Sequence, residues 1–374
     1  MRFFAPGSYP VTLTVKDGHG NVSDAYTRNV VVENTPFLSE LEYPIYKGKP
    51  GAFIKTDWTQ LYGNFLNRPP IAKVAKSDSS RKLLVSDSPE EFTEPGILYQ
   101  DKVSGKARLY ADHVNGTKDK MSFAVLVTNT SDKPVNLQTT NKGQVYPSVY
   151  ANLIGNEASV DFLMYNNYGE KNYDLSPTDN RLLANARFFY PGQGMNAFFD
   201  VETDGEVQYS FVTDKYITTD LLASWKMLPF TGHVRGTFPS SEIQWNIDAA
   251  NITQTMSLTI GDNINDKFIE GFDAQRKTPS VNQGNYGVVY KLHADKPRKM
   301  AILFLPRGGV FSGPMKINGE FVKVPVSGVM TAFDGLQLVG RTTGKEDSLD
   351  IEFTPPAGSA FPVDLLFYPL DDTK

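Results

Sequence analysis

Polar and apolar residues alternate from the start of the chain. Tyr9, Val11, Leu13 and Val15 fall on one face of a strand, with Thr12 and Thr14 on the other. Asp17-Gly18 and Gly20-Asn21 supply turn residues that tolerate positive φ, and a second strand ends at Val32. From Leu83 onward short strands follow one another: "SFAVLVT", "VQYSFVT", "MSLTI", "GVVYKLHA", "MAILFLP", "LQLVG", "LDIEF" and "VDLLFYP". All are rich in β-branched or aromatic residues and are bounded by Gly, Pro, Asn or Asp. Helical periodicity is scarce. Residues 56–66 fit a short helix with Thr56 or Asp57 as N-cap, Trp58, Leu61, Tyr62 and Phe65 on one face, and Pro69 as its stop. That helix is expected to pack its aromatics on the following domain. Residues 219–228 form the other helical candidate. The pattern predicts an all-β fold of antiparallel sandwiches.

The strands recur as an internal repeat. Residues 82–103 parallel 256–294, each with a turn Asp (Asp87; Asp262) before Gly-x-x-Tyr (Gly96 to Tyr99; Gly287 to Tyr290). Residues 119–127 parallel 298–306, and 207–213 parallel 363–369. The expected organisation is two tandem sandwiches related by duplication, 83–230 and 231–374. A hairpin at 1–33 and a linker at 34–82, carrying Pro36, Pro44, Pro50, Pro69 and Pro70, precede them.

The hairpin resembles the last two strands of a polycystic-kidney-disease (PKD) domain. The matching residues are Phe4, Pro6-Gly7, Tyr9, Val11-Thr12-Leu13, Val15, Asp17, Gly20-Asn21 and Val30-Val31-Val32. PKD domains are extracellular Ig-like sandwiches, so the resemblance implies an exported protein whose signal peptide and remaining PKD strands lie upstream of this chain, or a neighbouring copy that supplies the missing strands. More loosely, "DSPE", "GILY", "DHVN", "TNTSDKPV", "HVRGTF", "GNYGVVY", "LPRGG" and "PPAGSAFPVDL" resemble surface proteins of Bacillus-type bacteria. That likeness supplies a location and no chemistry.

Composition narrows the options. The chain has 374 residues, 40% of them hydrophobic, so large cores are expected rather than disorder. Its 37 basic and 42 acidic residues are interspersed, which argues against a nucleic-acid partner. It lacks cysteine, so disulfides, thiolate metal sites and Cys nucleophiles are excluded. No apolar run is long enough to span a bilayer as a helix.

No motif carries catalysis. His19, His113, His233 and His293 show no metal-ligand spacing, and Gly-x-Ser-x-Gly and Walker patterns are missing. Asp262, Asp266 and Asp273, with Glu270, cluster in "GDNINDKFIEGFDAQ". Such oxygen-rich loops turn the chain or bind Ca²⁺, the one cofactor left open. Trp225 and Trp245 are expected in the core. Tyr146, Tyr150, Tyr165, Tyr168 and Tyr173 lie in Asn- and Gly-rich loops suited to stacking sugars or contacting a protein. Asn21, Asn115, Asn129 and Asn251 match the glycosylation sequon, which a bacterial protein leaves unused. The expectation is a non-enzymatic, extracellular cell-surface protein acting in adhesion, surface-layer or filament assembly, or envelope spacing. Its partners would be other copies of itself or cell-wall polysaccharide. The alternative is the polysaccharide-binding accessory region of a larger secreted carbohydrate-active enzyme.

Overall fold

Twenty-four strands and three short α-helices form in chain order along residues 2–34, 37–76, 80–164, 171–185 and 188–371, which the computed structural model describes. The N-terminal alternation closes as an antiparallel hairpin of β1 (Gly7–Leu13) and β2 (Tyr26–Val32), which among the described residues pair only with each other. An arm follows: α1 (Glu42–Lys47), β3 (Phe53–Ile54), α2 (Trp58–Asn64) and β4 (Lys73–Lys76). The first body comprises β5 (Arg81–Ser86), β6 (Glu91–Phe92), β7 (Gly96–Asn115), β8 (Ser122–Asn129), β9 (Val135–Gln144), α3 (Ala151–Leu163), β10 (Lys171–Leu175), β11 (Asn180–Asn185) and β12 (Gly194–Asp214). A second arm holds a 3₁₀ turn at Thr219–Ser224 and β13 (Arg235–Phe238). The second body comprises β14 (Glu242–Ile247), β15 (Met256–Ile260), β18 (Val289–Asp295), β19 (Met300–Pro306), β20 (Gly313–Ile317), β21 (Glu320–Val324), β22 (Leu336–Thr342), β23 (Ser348–Phe353) and β24 (Val363–Pro369), while the hairpin of β16 (Glu270–Asp273) and β17 (Thr278–Val281), between β15 and β18 in the chain, pairs through β13 onto the sheet of the first body.

Each body is a two-layer sandwich, and the two share one plan. In the first, β7 and β12 are long enough to cross both layers. Residues 105–114 of β7 and 194–203 of β12 pair in the first layer, where β12 also pairs β9 and β7 pairs β5; β10 lies at the edge beside β9. Residues 96–103 and 207–213 pair in the second layer, where β12 also meets β8, and β8 meets β11. Gly105 sits at the crossing with φ +78, a conformation that disfavours a side chain. In the second body each long strand is cut in two. One layer is β21-β20-β23-β18-β14 and the other β15-β24-β19-β22. Matching these orders pairs β5 with β14, the two parts of β7 with β15 and β18, and β8 through β11 with β19 through β22. The two parts of β12 then match β23 and β24. Even the parallel pairing recurs: β5 runs parallel to β7, and β14 parallel to β18.

This registration confirms two of the expected internal matches, 119–127 with 298–306 and 207–213 with 363–369, and corrects the third. Gly96 to Tyr99 opens the second-layer part of β7, whereas Gly287 to Tyr290 leads into β18 of the first layer. The equivalent of β5 is therefore β14, not β15.

The arms correct the expected boundaries. β13 pairs with β5 and belongs to the first sandwich, so the joint falls after Phe238 rather than at 230. Residues 38–76, expected as a linker, complete the second sandwich. β4 extends β14, β3 extends β22, and Ile45, Ile54, Leu61 and Phe65 pack on Leu303, Leu305, Leu338 and Leu366. Arg341 of β22 fastens this arm by donating to the carbonyls of Pro44, Ile45 and Gly48. The α2 helix has the expected Asp57 cap, in a full capping box with Gln60. It lies on the last domain, though, not the next one. The 219–228 candidate is only the 3₁₀ turn, and α3 was not expected.

The two sandwiches share a core. Leu83, Val85, Tyr110 and Phe198 on the outer face of the first, and Phe162 of α3, join Trp245, Leu292, Phe304, Phe353 and Leu365 of the second. Arg108, almost fully buried, crosses this joint. Its Nε and Nη2 donate to both oxygens of Asp200 at 2.8 and 3.1 Å, and Nη1 donates to the carbonyls of Ser241 (2.9 Å) and Gly287 (3.2 Å). Breaking a buried pair from one side typically costs about 3–5 kcal/mol. Arg108→Met should therefore destabilise by about that amount in urea unfolding, and Arg108→Met/Asp200→Leu should regain most of it. Because the cores are joined, variants keeping only Trp225 (first sandwich) or only Trp245 (second) should report the same unfolding midpoint. Separate midpoints would mean independent sandwiches.

Candidate functional site

The joint also gathers a set of titratable side chains. β5 ends at Ser86 opposite Arg235 of β13, so the segment entering β13 carries His233 to the loop after β5. His233 Nε2 lies 2.8 Å from a Glu90 oxygen, and Nδ1 lies 3.8 Å from Asp87. A cleft of about 530 Å³ opens here, lined by Asp87, Phe230, His233, Arg276, Gln283 and Tyr286. Arg276 covers the Phe230 ring at 3.6 Å and holds Asp273 through Nε at 2.8 Å.

Burial governs the protonation of this cluster. It pushes the Asp87 carboxyl up to about 6, against the pull of His233. It raises Asp112 well above the carboxylate range, with Asp87 and Glu90 adding repulsion. Tyr286 is pushed up to about 12, by burial first and then by the same three carboxyls. His233 is raised by the Asp87 carboxyl beside it first, and then by Glu90. Behind them, His113 is fully buried with Nδ1 at 2.8 Å from the Pro89 carbonyl and Nε2 at 2.9 Å from Ser86 Oγ. The carbonyl requires a proton on Nδ1, so Nε2 accepts from the serine. Burial lowers His113 to about 4 and keeps it neutral. Ser86 and His113 are both fully buried, so this Ser–His contact joins β5 to β7 out of reach of a substrate.

The three aspartates singled out for Ca²⁺ have separate duties. Asp262 accepts the backbone N–H groups of Ile264, Asn265 and Asp266 and the Asn265 amide. Asp266 is buried and accepts from Tyr290 OH at 2.6 Å and Gly261 N–H at 2.8 Å. Asp273 is neutralised by Arg235 and Arg276. Among the described residues no group of three or more His, Asp or Glu side chains is placed to hold a metal ion.

Three of the five tyrosines singled out for binding lie among the described residues. Tyr165 and Tyr168 lie outside the described residues. Tyr173, on β10, packs partly into the first core, which raises its hydroxyl pKa. Tyr146 and Tyr150 are exposed beside the start of α3. Trp245 is buried as expected, whereas Trp225 is half-buried and donates its N–H to Asp214 at 2.6 Å. The exposed aromatics gather elsewhere. Trp58 stands 5.1 Å from Phe333 and 5.3 Å from Tyr62, ring to ring.

Two of the sequons are turn motifs. Asn115 and Asn129 are fully buried and make the same bonds. Each Oδ1 accepts the backbone N–H and hydroxyl two residues on, at Thr117 and Ser131. Each Nδ2 donates to the carbonyl four residues on, at Asp119 and Lys133. A glycan has no room at either nitrogen.

Compared with described protein families and with curated proteins, the chain matches none.

The joint should respond to pH with a defined sign. Asp87, Asp112 and His233 all hold protons more tightly folded than unfolded, so they stabilise the fold at low pH and lose that contribution as pH rises. For Asp87 the loss runs from about pH 4 to about 6 and amounts to about 2–3 kcal/mol. For His233 the contribution is full below about 6.5 and disappears as pH passes its raised folded value. Asp87→Asn should match the parent near pH 4 and gain on it by pH 7 in denaturant midpoint. An unchanging difference across that range would refute the assignment.

Proposed function

We propose that the chain is a non-enzymatic protein of the bacterial cell surface, acting through assembly, adhesion or spacing of the envelope. The observation that carries this reading is the N-terminal hairpin. Its β1–β2 pairing puts Tyr9, Val11 and Leu13 on one face with Tyr26 and Val30, and with Arg28 opposite Val11. Leu13 is 60% exposed and Tyr26 67%, so this end of the face has no covering layer among the described residues, while Phe3 stacks on Tyr9 at the other end. The opposite face is more polar, with Ser8, Asn29, Thr12 and Thr27 beside Pro10 and Val31, and the Thr12 and Thr27 hydroxyls hydrogen-bonded at 2.8 Å. A two-stranded sheet with one mostly apolar, partly uncovered face and unpaired edges favours addition of strands from another chain. A second copy of this chain is the occupant we assign. The two sandwiches behind it, joined through a common core, suit a spacer better than a hinged pair.

The non-enzymatic reading is supported by how the reactive side chains are spent. The Ser86–His113 pair is sealed in the interior, and Asp266, Asp273 and Asp364 each hold a structural partner. A second reading, a polysaccharide-binding accessory region, is favoured by the exposed aromatic group around Trp58.

Light scattering on the full chain over a micromolar series tests the assembly reading. Association that rises with concentration is expected. The Leu13→Glu/Tyr26→Lys double variant replaces a cross-strand apolar pair with an ion pair and should remain monomeric with the same circular dichroism. A parent that stays monomeric throughout would sink the reading.

A further inference from the structure

Trp58 is one of only three tryptophans. It is 50% exposed, against 6% for Trp245. It opens α2, and Tyr62 follows one turn later, 58% exposed. The helix buries Leu61 and Phe65 on the second sandwich and turns this pair outward. Phe333, 74% exposed, comes from a turn of the second sandwich that Asp334 holds by accepting the Thr331 N–H at 2.8 Å and its hydroxyl at 3.0 Å. The Trp58 and Phe333 planes meet at 88°, and those of Trp58 and Tyr62 at 39°. Two elements far apart in sequence thus deliver three rings to one exposed, angled surface. Leaving large apolar side chains in water forgoes roughly 1.5–3 kcal/mol each, and clustered cases mark contact sites.

A cleft of about 500 Å³ adjoins these rings, because Asp57 and Gln60, on the same turn as Trp58, line it. Its other walls include Tyr43, Phe53, Glu40 and Lys55, with Arg2 stacked over the Tyr43 ring at 4.2 Å. The volume falls in the range of roughly 300–1,000 Å³ typical of small-ligand clefts. Thr56 Oγ1 lies buried against it with no hydrogen-bond partner. The charged groups balance, with Arg2 and Lys55 facing Glu40 and Asp57, so the cleft has no net field to select a charged polymer. Apolar rings beside mixed donors and acceptors suit a ligand with a C–H face and a rim of hydroxyls, which is the chemistry of a pyranose.

We propose that Trp58, Tyr62 and Phe333, with the adjoining Asp57–Gln60 cleft, bind a neutral polysaccharide chain, its sugar rings stacking on the aromatics and its hydroxyls bonding in the cleft. This rests on the second of the two functional readings and is independent of self-association through the hairpin.

Native affinity electrophoresis of the full chain through gels containing laminarin, galactomannan or polygalacturonate is the test. At least one neutral polymer should retard the protein and polygalacturonate should not. Trp58→Ala should weaken retardation at least about tenfold, equivalent to about 1.4 kcal/mol. Trp58→Phe should keep most of it, both with the parent's unfolding midpoint, and Tyr150→Ala should behave as the parent. Retardation by a neutral polymer that Trp58→Ala leaves intact would overturn this site while the glycan reading stood. Retardation by none of the neutral polymers would overturn both, and by polygalacturonate alone would overturn the neutral-chain assignment.

Discussion

The second sandwich cannot be completed by its own stretch of chain, and most of the architecture follows from that. β19 is "MAILFLP", buried at every position, so both of its faces need cover. One face meets the inter-layer core through Met300, Ile302 and Phe304. The other, Ala301, Leu303 and Leu305, is covered by Ile45, Ile54, Leu61 and Phe65 from the far N-terminal side of the first sandwich. The first sandwich solves the same problem locally: Ala124 and Leu126 of β8 are covered by Ile217, Leu222, Trp225 and Met227, which follow it in the chain. Each body therefore wears an arm, and each arm ends in a strand that extends the same layer, β13 on β5 and β4 on β14. The body that comes last takes its arm from the beginning. That closure ties the chain into a ring of contacts and brings the sandwiches together.

Arg108 shows how tightly the closure is specified. A buried guanidinium is tolerated only when its donors are satisfied. Here they reach Asp200 on its own sandwich and the Ser241 and Gly287 carbonyls on the other, while its plane lies 4.7 Å from the Phe162 ring of α3. Gly287 has φ +79, and a Cβ there would meet Tyr110 at 2.9 Å. A Cβ on Gly155 would meet the Ala357 carbonyl at 2.0 Å, so α3 touches the second sandwich backbone to backbone. One charge pair and two glycines thus fix three elements together.

Much of this was legible in the sequence. Alternation and turn residues located the hairpin and strands such as β8, β15, β18, β19, β22, β23 and β24, though not short ones such as β3, β4, β13, β16, β17, β20 and β21, and the antiparallel all-β sandwich class followed. Continuous apolar runs such as 300–306 fit strands covered on both faces. They could not say which segment supplies the cover, since that depends on contacts between chain regions far apart. For the same reason the arm was taken for a linker. α3 escaped notice because its inner face is built partly from Gly155, Ala158 and Ser159, small residues chosen for close approach rather than an apolar stripe. Asp87 and His233 gave no spacing signal, since the pairing of β13 with β5 alone makes them neighbours. Loop composition pointed to tyrosines. It could not distinguish Tyr173, which faces the core, from Trp58, whose helix turns it to solvent.

The hairpin and the cleft are physically continuous. Arg2 stacks on Tyr43, and the Phe4 ring meets Tyr43 edge-on at 5.8 Å, so the base of the hairpin forms one wall of the cleft beside Trp58. Tyr43 belongs to α1, whose last turn Arg341 holds against β22. The other wall, through Phe53 and Ile54, is the edge strand β3 paired to the same β22. Cleft geometry is therefore referenced to one strand of the second sandwich on one side and to the hairpin on the other. Restraining the hairpin restrains that wall, so a surface used for assembly and a surface used for binding share a boundary at Tyr43.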